Sequence, residues 1–196
     1  MNQIKNTEAP AGAPPVRTFL IAADGFEEVE GLTVVDLLRR AGFVCDIVSL
    51  SDGETVTGSH GIRIGTDRRF SDILPDDYDA VILPGGFRGT EALKADGRVL
   101  SLLQQMHAAG KLTAAVCAAP TVLAEAGILK GLRATCYPGM EEKLNGALPC
   151  TDSVVRDGTV ITSRGVGTSI AFALAVIAYL DSREHAEEIA RRIVYT

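Results

Sequence analysis

From Arg17 onward, short unbroken runs of apolar residues alternate with longer stretches in which apolar positions recur every three or four residues. Arg17 to Ala23 reads as a buried strand, Glu27 to Ala41 as an amphipathic helix and Gly42 to Leu50 as a second strand, a βαβ opening. Thr55-Val56-Thr57-Gly58 and Ile62-Arg63-Ile64 alternate across a glycine turn and predict a short ribbon on the edge of the main sheet, carrying little of the core. Asp79 to Leu83 is a third buried strand closed by Pro84-Gly85-Gly86. Helical sequence follows from Gly89 to Ala109 with a break near Gly97. Leu112 to Val116 predicts a strand that runs straight into Cys117 and a helix beginning near Pro120. Beyond it come a short strand over Leu132 to Cys136, a hairpin over Val154 to Ser163 with Asp157-Gly158 at its turn, and helices over Thr168 to Leu180 and Arg183 to Val194.

Strands alternating with helices imply a mostly parallel sheet covered on both faces, so the expected fold is a three-layer α/β/α sandwich of flavodoxin-like winding. Composition agrees: 196 residues, 46% hydrophobic and 22% charged, suit one α/β domain. That domain is expected over residues 17–196, preceded by a disordered segment at 1–16 that is rich in proline and glycine and lacks a signal peptide's apolar core. A net charge of −6, with no stripe of lysine and arginine, argues against specific nucleic-acid binding and against anionic membranes. The longest apolar stretch, Ile170 to Leu180, is too short to cross a bilayer. Four cysteines without framework spacing suit a reducing compartment, and a soluble cytoplasmic protein is expected. No C-x-x-C or H-x-x-x-H pair occurs, so neither a metal nor a cofactor is expected.

Chemistry concentrates at Cys117, where a strand, a sharp turn and a helix follow in sequence. A thiol there projects from the carboxyl edge of a parallel sheet toward the free N–H groups of the next helix, which favours the thiolate. A depression of about three units from ~8.5, near 4 kcal/mol, would make it almost wholly ionised at neutral pH. Cys45, inside a strand pattern, reads as simple packing. In such sheets ligands bind beyond the carboxyl ends of the strands, where the winding reverses. Four loops then share one rim: Asp24 to Glu30, Gly85-Gly86, Cys117, and Arg164 to Gly167. Glu27 and Glu30 lie three apart and share a helix face, with Glu28 on another side. An acid held near a thiolate is kept protonated and serves as general acid or base, and Glu30 is the one expected to face inward. The N–H groups of Gly86 and Ala118 would hold a developing oxyanion.

Gly25-Phe26-Glu27-Glu28-Val29-Glu30, Leu83-Pro84-Gly85-Gly86, Ala114 to Thr121 and Thr162 to Ser169 together resemble the ThiJ/PfpI superfamily (class I glutamine amidotransferase-like), and within it the branch of the parkinsonism-associated protein deglycase. The match runs from about Arg17 to the C-terminus in the family's order and spacing. It implies a flavodoxin-like homodimer with an elbow cysteine, Cys117, paired with a protonated glutamate, Glu30, and with Gly86 and Ala118 as oxyanion donors. Glu27 and Tyr137 would border the substrate. Activities implied are glutathione-independent conversion of methylglyoxal to lactate and removal of glyoxal adducts from proteins and nucleotides. The alternative implied by the same cysteine is an oxidative-stress sensor or chaperone without turnover.

The chain also departs from the family pattern. Tyr137 stands where a histidine is common, Ala118 follows the nucleophile in place of the histidine of the intracellular proteases, and Val166 replaces a frequent proline. A Cys-His protease mechanism is therefore not expected, and His60, on the Gly58-Ser59-His60-Gly61 loop, is left outside the catalytic set. The expected reaction has the Cys117 thiolate attack the aldehyde of a small dicarbonyl, Gly86 and Ala118 steady the alkoxide, and Glu30, with Glu27, move a proton between adjacent carbons. Leu32, Val35 and Leu38 make an apolar stripe on the first helix that is expected to contribute to a dimer contact.

Overall fold

The computed structural model describes residues 14–196. Most of the expected disordered lead-in, residues 1–13, lies outside them, and ordered pairing begins at Val16, whose carbonyl accepts the Val44 N–H at 2.9 Å. Seven strands form the main sheet in the order β10-β11-β7-β6-β1-β2-β5. These are β1 (Arg17–Ala22), β2 (Val44–Ser49), β5 (Arg68–Arg69), β6 (Ala80–Leu83), β7 (Leu112–Val116), β10 (Val154–Asp157) and β11 (Val160–Ser163). All neighbours pair in parallel except β10, which turns back on β11 as the Asp157-Gly158 hairpin predicts.

Alternation along each strand sorts the two cores. Phe19, Ile21, Val81 and Leu83 point to one face, where α2 (Phe87–Ala95), α3 (Gly97–Ala108) and α4 (Pro120–Glu125) supply Leu93, Leu103, Met106 and Leu123. Leu20, Ala22, Ala80 and Ile82 point to the other, against α1 (Glu28–Arg40), α5 (Ser169–Leu180) and α6 (Arg183–Arg192). Helix α5 is apolar nearly all round because it packs on α1, α6 and the sheet together. No helix of the described residues is long and apolar enough to cross a membrane. The sandwich with its mostly parallel sheet is the architecture expected from the alternating pattern.

Three expectations change. The ribbon, β3 (Thr55–Thr57) with β4 (Arg63–Gly65), forms its own two-stranded sheet, because β5 already occupies the edge beside β2. It docks instead over the start of α1: the Gly25 N–H donates to the Thr57 carbonyl at 2.8 Å and the Ser59 N–H to the Phe26 carbonyl at 2.8 Å. The strand expected over Leu132 to Cys136 shrinks to β8 (Arg133–Ala134), paired outside the main sheet with β9 (Leu148–Pro149). The apolar stripe of α1 is consumed within the chain, since Val35 and Leu38 are buried in the core shared with α5 and only Leu32 stays half-buried.

β1 lies inside the sheet, with β2 on one side and β6 on the other. The winding thus reverses between β1 and β6. The loops after β1, β6, β7 and β11 meet at the carboxyl rim beside this point.

Candidate active site

At the end of β7 the chain must turn at once, and it does so on Cys117, whose φ of +64° is left-handed and rare for a residue with a side chain. Such a conformation costs roughly 1–2 kcal/mol and persists only where neighbours hold it. Here the Cys117 N–H donates to the Ser163 carbonyl at 3.0 Å, and its carbonyl accepts the Tyr137 N–H at 2.7 Å. The half-buried thiol is thereby fixed in the lining of a cleft of about 810 Å³. Glu27, Glu30, Gly86, Ala118 and Tyr137 all line that cleft. Each residue singled out from the sequence for this site is therefore brought to it.

Glu30 is fully buried on the inner side of α1. Its Oε2 accepts the Gly85 N–H at 2.9 Å. Oε1 has no hydrogen-bond partner among the described residues, and the Cys117 thiol stands beside the carboxyl, close enough for each group to shift the other's proton affinity. Only glycine fits at position 85, since a Cβ there would lie 2.5 Å from both Glu30 Oε2 and the Cys117 Cβ. Gly86, with φ +89°, then starts α2. The backbone N–H groups of Gly86 and Ala118 both point at the sulfur, and among the described residues neither donates to another backbone carbonyl.

The electrostatics correct one expectation. Burial first, then the charge of Glu30, push the Cys117 thiol up to about 12, although the Gly86 and Ala118 amides pull the other way. Burial also pushes Glu30 up to about 7, with the charge of Glu27 adding to it. The sulfur is therefore not a freestanding low-pKa thiolate: desolvation outweighs the two amides. The pair gives up one proton near neutrality and keeps the other, shared between carboxyl and sulfur. Glu30 can then take the thiol proton as sulfur attacks.

Glu28, which the sequence reading set aside, is 2% exposed. Its Oε1 accepts the His60 N–H at 2.7 Å and the Ile62 N–H at 3.4 Å, and its Oε2 accepts Ser59 Oγ at 3.1 Å. His60 Nδ1 lies 3.1 Å from Glu28 Oε2 and 3.6 Å from Glu27 Oε2, and Ser59 Oγ also donates to Glu27 at 2.9 Å. Burial alone would raise the Glu28 carboxyl, but these donors prevail and hold it at about 2. Glu27, Glu28 and His60 offer ligand atoms within 4.8 Å of one another, and Ser59 and His60 bridge the two carboxylates as a clasp that fixes the ribbon to α1. His60 is thereby accounted for outside the cleft chemistry. Of the remaining thiols, Cys45 is buried packing, as expected, and burial raises it to about 11.

Phe87, Pro138, Met140, Lys143, Arg164, Gly165, Val166, Gly167 and Thr168 also line the cleft. Of these, Arg164 to Gly167 stood on the predicted rim, in the loop after the hairpin. Thr168 braces that loop, its hydroxyl accepting the Gly165 N–H at 3.0 Å and donating to the Gly165 carbonyl at 2.9 Å.

The DJ-1/PfpI family model matches residues 16–179. The chain belongs to the DJ-1/PfpI family. It is 39% identical over 177 residues to protein dj-1beta of Drosophila melanogaster, covering 89% of this chain and 95% of that protein. The crystal structure of the same fly protein superposes with a TM-score of 0.89 at 36% identity, covering 93% of this chain and all of the other. A protein of Pyrococcus abyssi named a deglycase is 33% identical over 159 residues, covering 80% of this chain and 95% of its own. Toxoplasma gondii DJ-1, solved in an oxidized form, gives a TM-score of 0.88 at 32% identity, covering 92% and 99% of the two chains.

Proposed function

We propose that this protein is a cysteine-dependent, glutathione-independent glyoxalase of deglycase type, acting on methylglyoxal or on glyoxal adducts of proteins and nucleotides. The observation that carries the reading is the half-buried Cys117 thiol lining a cleft beside the fully buried Glu30 carboxyl, with two backbone N–H groups at the sulfur that donate to no carbonyl. Family membership and the deglycase name of the P. abyssi relative support it.

Glu30 takes the thiol proton as the sulfur adds to the aldehyde carbon, and the alkoxide of the hemithioacetal rests on the Gly86 and Ala118 amides. Glu30 returns that proton to the alkoxide oxygen and, ionised again with the Glu27 carboxylate beside it, carries the carbon-bound hydrogen as a proton to the neighbouring carbonyl carbon, by way of an enediol. This leaves a 2-hydroxyacyl thioester. Water cleaves the thioester to the 2-hydroxy acid and returns the thiol. Tyr137 borders the bound substrate on the outer side. Neither a metal nor a cofactor enters the scheme.

The experiment is lactate formation from methylglyoxal without glutathione. Turnover is expected in the wild type and none above background in Cys117→Ala; wild-type turnover in that variant removes the proposal.

A second reading, an oxidative-stress sensor or chaperone that uses the same sulfur without turnover, is supported by the oxidized T. gondii relative. The two amides that would hold an alkoxide would equally hold the oxygens of a sulfinate formed by two equivalents of peroxide. Selective gain of two oxygens at Cys117 without glyoxal turnover would favour it. Assembly as a cytoplasmic homodimer belongs to the same proposal. Val29 on α1 and Ile62 on the ribbon, each about half exposed, offer apolar surface to a second copy, and sedimentation equilibrium tests this.

A further inference from the structure

Beyond the sulfur, the cleft carries positive charge that the proposed reaction does not use. Its volume, about 810 Å³, lies within the ~300–1,000 Å³ range of sites that enclose whole organic ligands. A three-carbon dicarbonyl fills a small part of that space. Arg164 and Lys143 both line it, as do Tyr137, Pro138 and Met140.

Arg164 follows directly from the strand register: Ser163 pairs with Val116 and accepts the Cys117 N–H, so the next residue leaves the sheet beside the nucleophile. Its side chain is only 19% exposed, and Nη1 is buried with no hydrogen-bond partner among the described residues. Nη2 lies 3.5 Å from Glu141 Oε1, well beyond the ~2.7–2.9 Å of a charge-assisted hydrogen bond. Glu141 is itself engaged elsewhere, its Oε2 accepting the Gly139 N–H at 2.7 Å. A guanidinium presents five donors in a rigid fork suited to carboxylate and phosphate. Leaving one buried and unpaired costs roughly 1–3 kcal/mol, a cost that a turn of the guanidinium into the cleft toward an anionic ligand would remove.

We infer that Arg164, aided by Lys143, forms a subsite in this cleft for an anionic group, a carboxylate or a phosphate, carried by the carbonyl compound that Cys117 attacks. The inference rests on the proposed function for what is attacked, but the recognition itself does not depend on turnover. The Glu27 carboxylate repels the same group, so the anion is directed to the cations and the carbonyl is left at the sulfur. Glu141 offsets one of the two cations, and the subsite keeps a net positive charge.

The test labels the full-length protein with two methanethiosulfonates of similar length, one ending in a sulfonate and one in a trimethylammonium. Each forms a mixed disulfide with Cys117 and releases methanesulfinate, and peptide mapping reads Cys117 apart from the other cysteines. The ratio of sulfonate to ammonium rates should fall about tenfold in Arg164→Gln, the equivalent of one partly screened ion pair. It should fall less in Lys143→Gln and be largely kept in Arg164→Lys. A ratio unchanged in both glutamine variants overturns the subsite. On the wild type, protection of Cys117 from the neutral methyl reagent by inorganic phosphate but not acetate assigns phosphate, and the reverse assigns carboxylate. Protection by neither overturns the inference even if Arg164→Gln does not fold. A charge-dependent ratio without any glyoxal turnover would remove the glyoxalase proposal and leave the subsite standing.

Discussion

Glu28 and Glu30 stand two residues apart on the first turn of α1, both buried, one facing the ribbon loop and the other facing the nucleophile. Around Glu28 the loop from Ser59 to Ile62 supplies donors to both oxygens, and the carboxylate stays ionised down to about pH 2. Around Glu30 a single backbone donor, from Gly85, reaches one oxygen; burial dominates and the carboxyl holds its proton up to about pH 7. Neither side chain meets solvent, yet Glu28 lies shallow beneath the ribbon and Glu30 lies deep, so depth and the number of donors together give opposite protonation. The satisfied acid makes structure, and the under-satisfied one makes a proton carrier poised near neutrality.

Swapping the donors or the charge breaks this contrast, and the largest effect is expected at Glu30. Glu30→Gln removes the base, and turnover of methylglyoxal should fall by about 10²–10⁴-fold. The same variant should be more stable at neutral pH. An acid whose folded value is about 7 and unfolded value 4.5 opposes folding once ionised, by about 3 kcal/mol at full effect. Chemical denaturation at pH 7.5 should show that gain, and the gain should shrink as pH falls from 7 toward 4.5, where the wild-type carboxyl protonates in both states.

Glu28→Ala should do the reverse. It orphans the His60 and Ile62 amides, leaving Ser59 its bond to Glu27, and should cost about 3 kcal/mol of stability. Chemistry at Cys117 should change only severalfold, read as the alkylation rate of the folded variant. Because the folded value of Glu28 lies near 2, its stabilisation is complete above about pH 4.5 and is lost as pH falls through 2, so acid unfolding of Glu28→Gln should begin at higher pH than in wild type. The smallest effect belongs to His60→Asn. It removes an exposed ring from the clasp but keeps the backbone N–H that Glu28 uses, and the midpoint of thermal unfolding should move by only a few degrees.

The division between what the sequence revealed and what it did not follows the same line. Buried runs after alternating helices led directly to the sheet, and the rule that ligands sit at the carboxyl ends of parallel strands brought Glu27, Glu30, Gly86, Cys117 and Ala118 to one rim without coordinates, while Tyr137 came only from the family resemblance. These positions follow from local pattern plus topology. Glu28 was not legible, because its burial depends on a ribbon more than thirty residues away folding over α1, and strand alternation at Thr55 to Ile64 does not say where a ribbon docks. The direction of the Cys117 shift was not legible either. Helix-end amides are visible in sequence, whereas desolvation is set by side chains from every surrounding element. The stripe of Val35 and Leu38 was ambiguous for a related reason, since an apolar helix face looks the same whether α5 or another subunit covers it. Arg164 stood in view on the rim, but an unpaired guanidinium nitrogen is a property of its surroundings alone.

The claim on which the account turns is that Cys117 and Glu30 share one proton, and the pH dependence of Cys117 alkylation by neutral iodoacetamide tests it most directly. The wild-type rate should rise with a midpoint near 7 as the pair gives up its first proton. In Glu30→Gln the thiol ionises alone in a desolvated site, so the midpoint should move above the ~8.5 of a free thiol and the rate at pH 7 should drop by at least about tenfold. Identical profiles for the two proteins would contradict the shared proton.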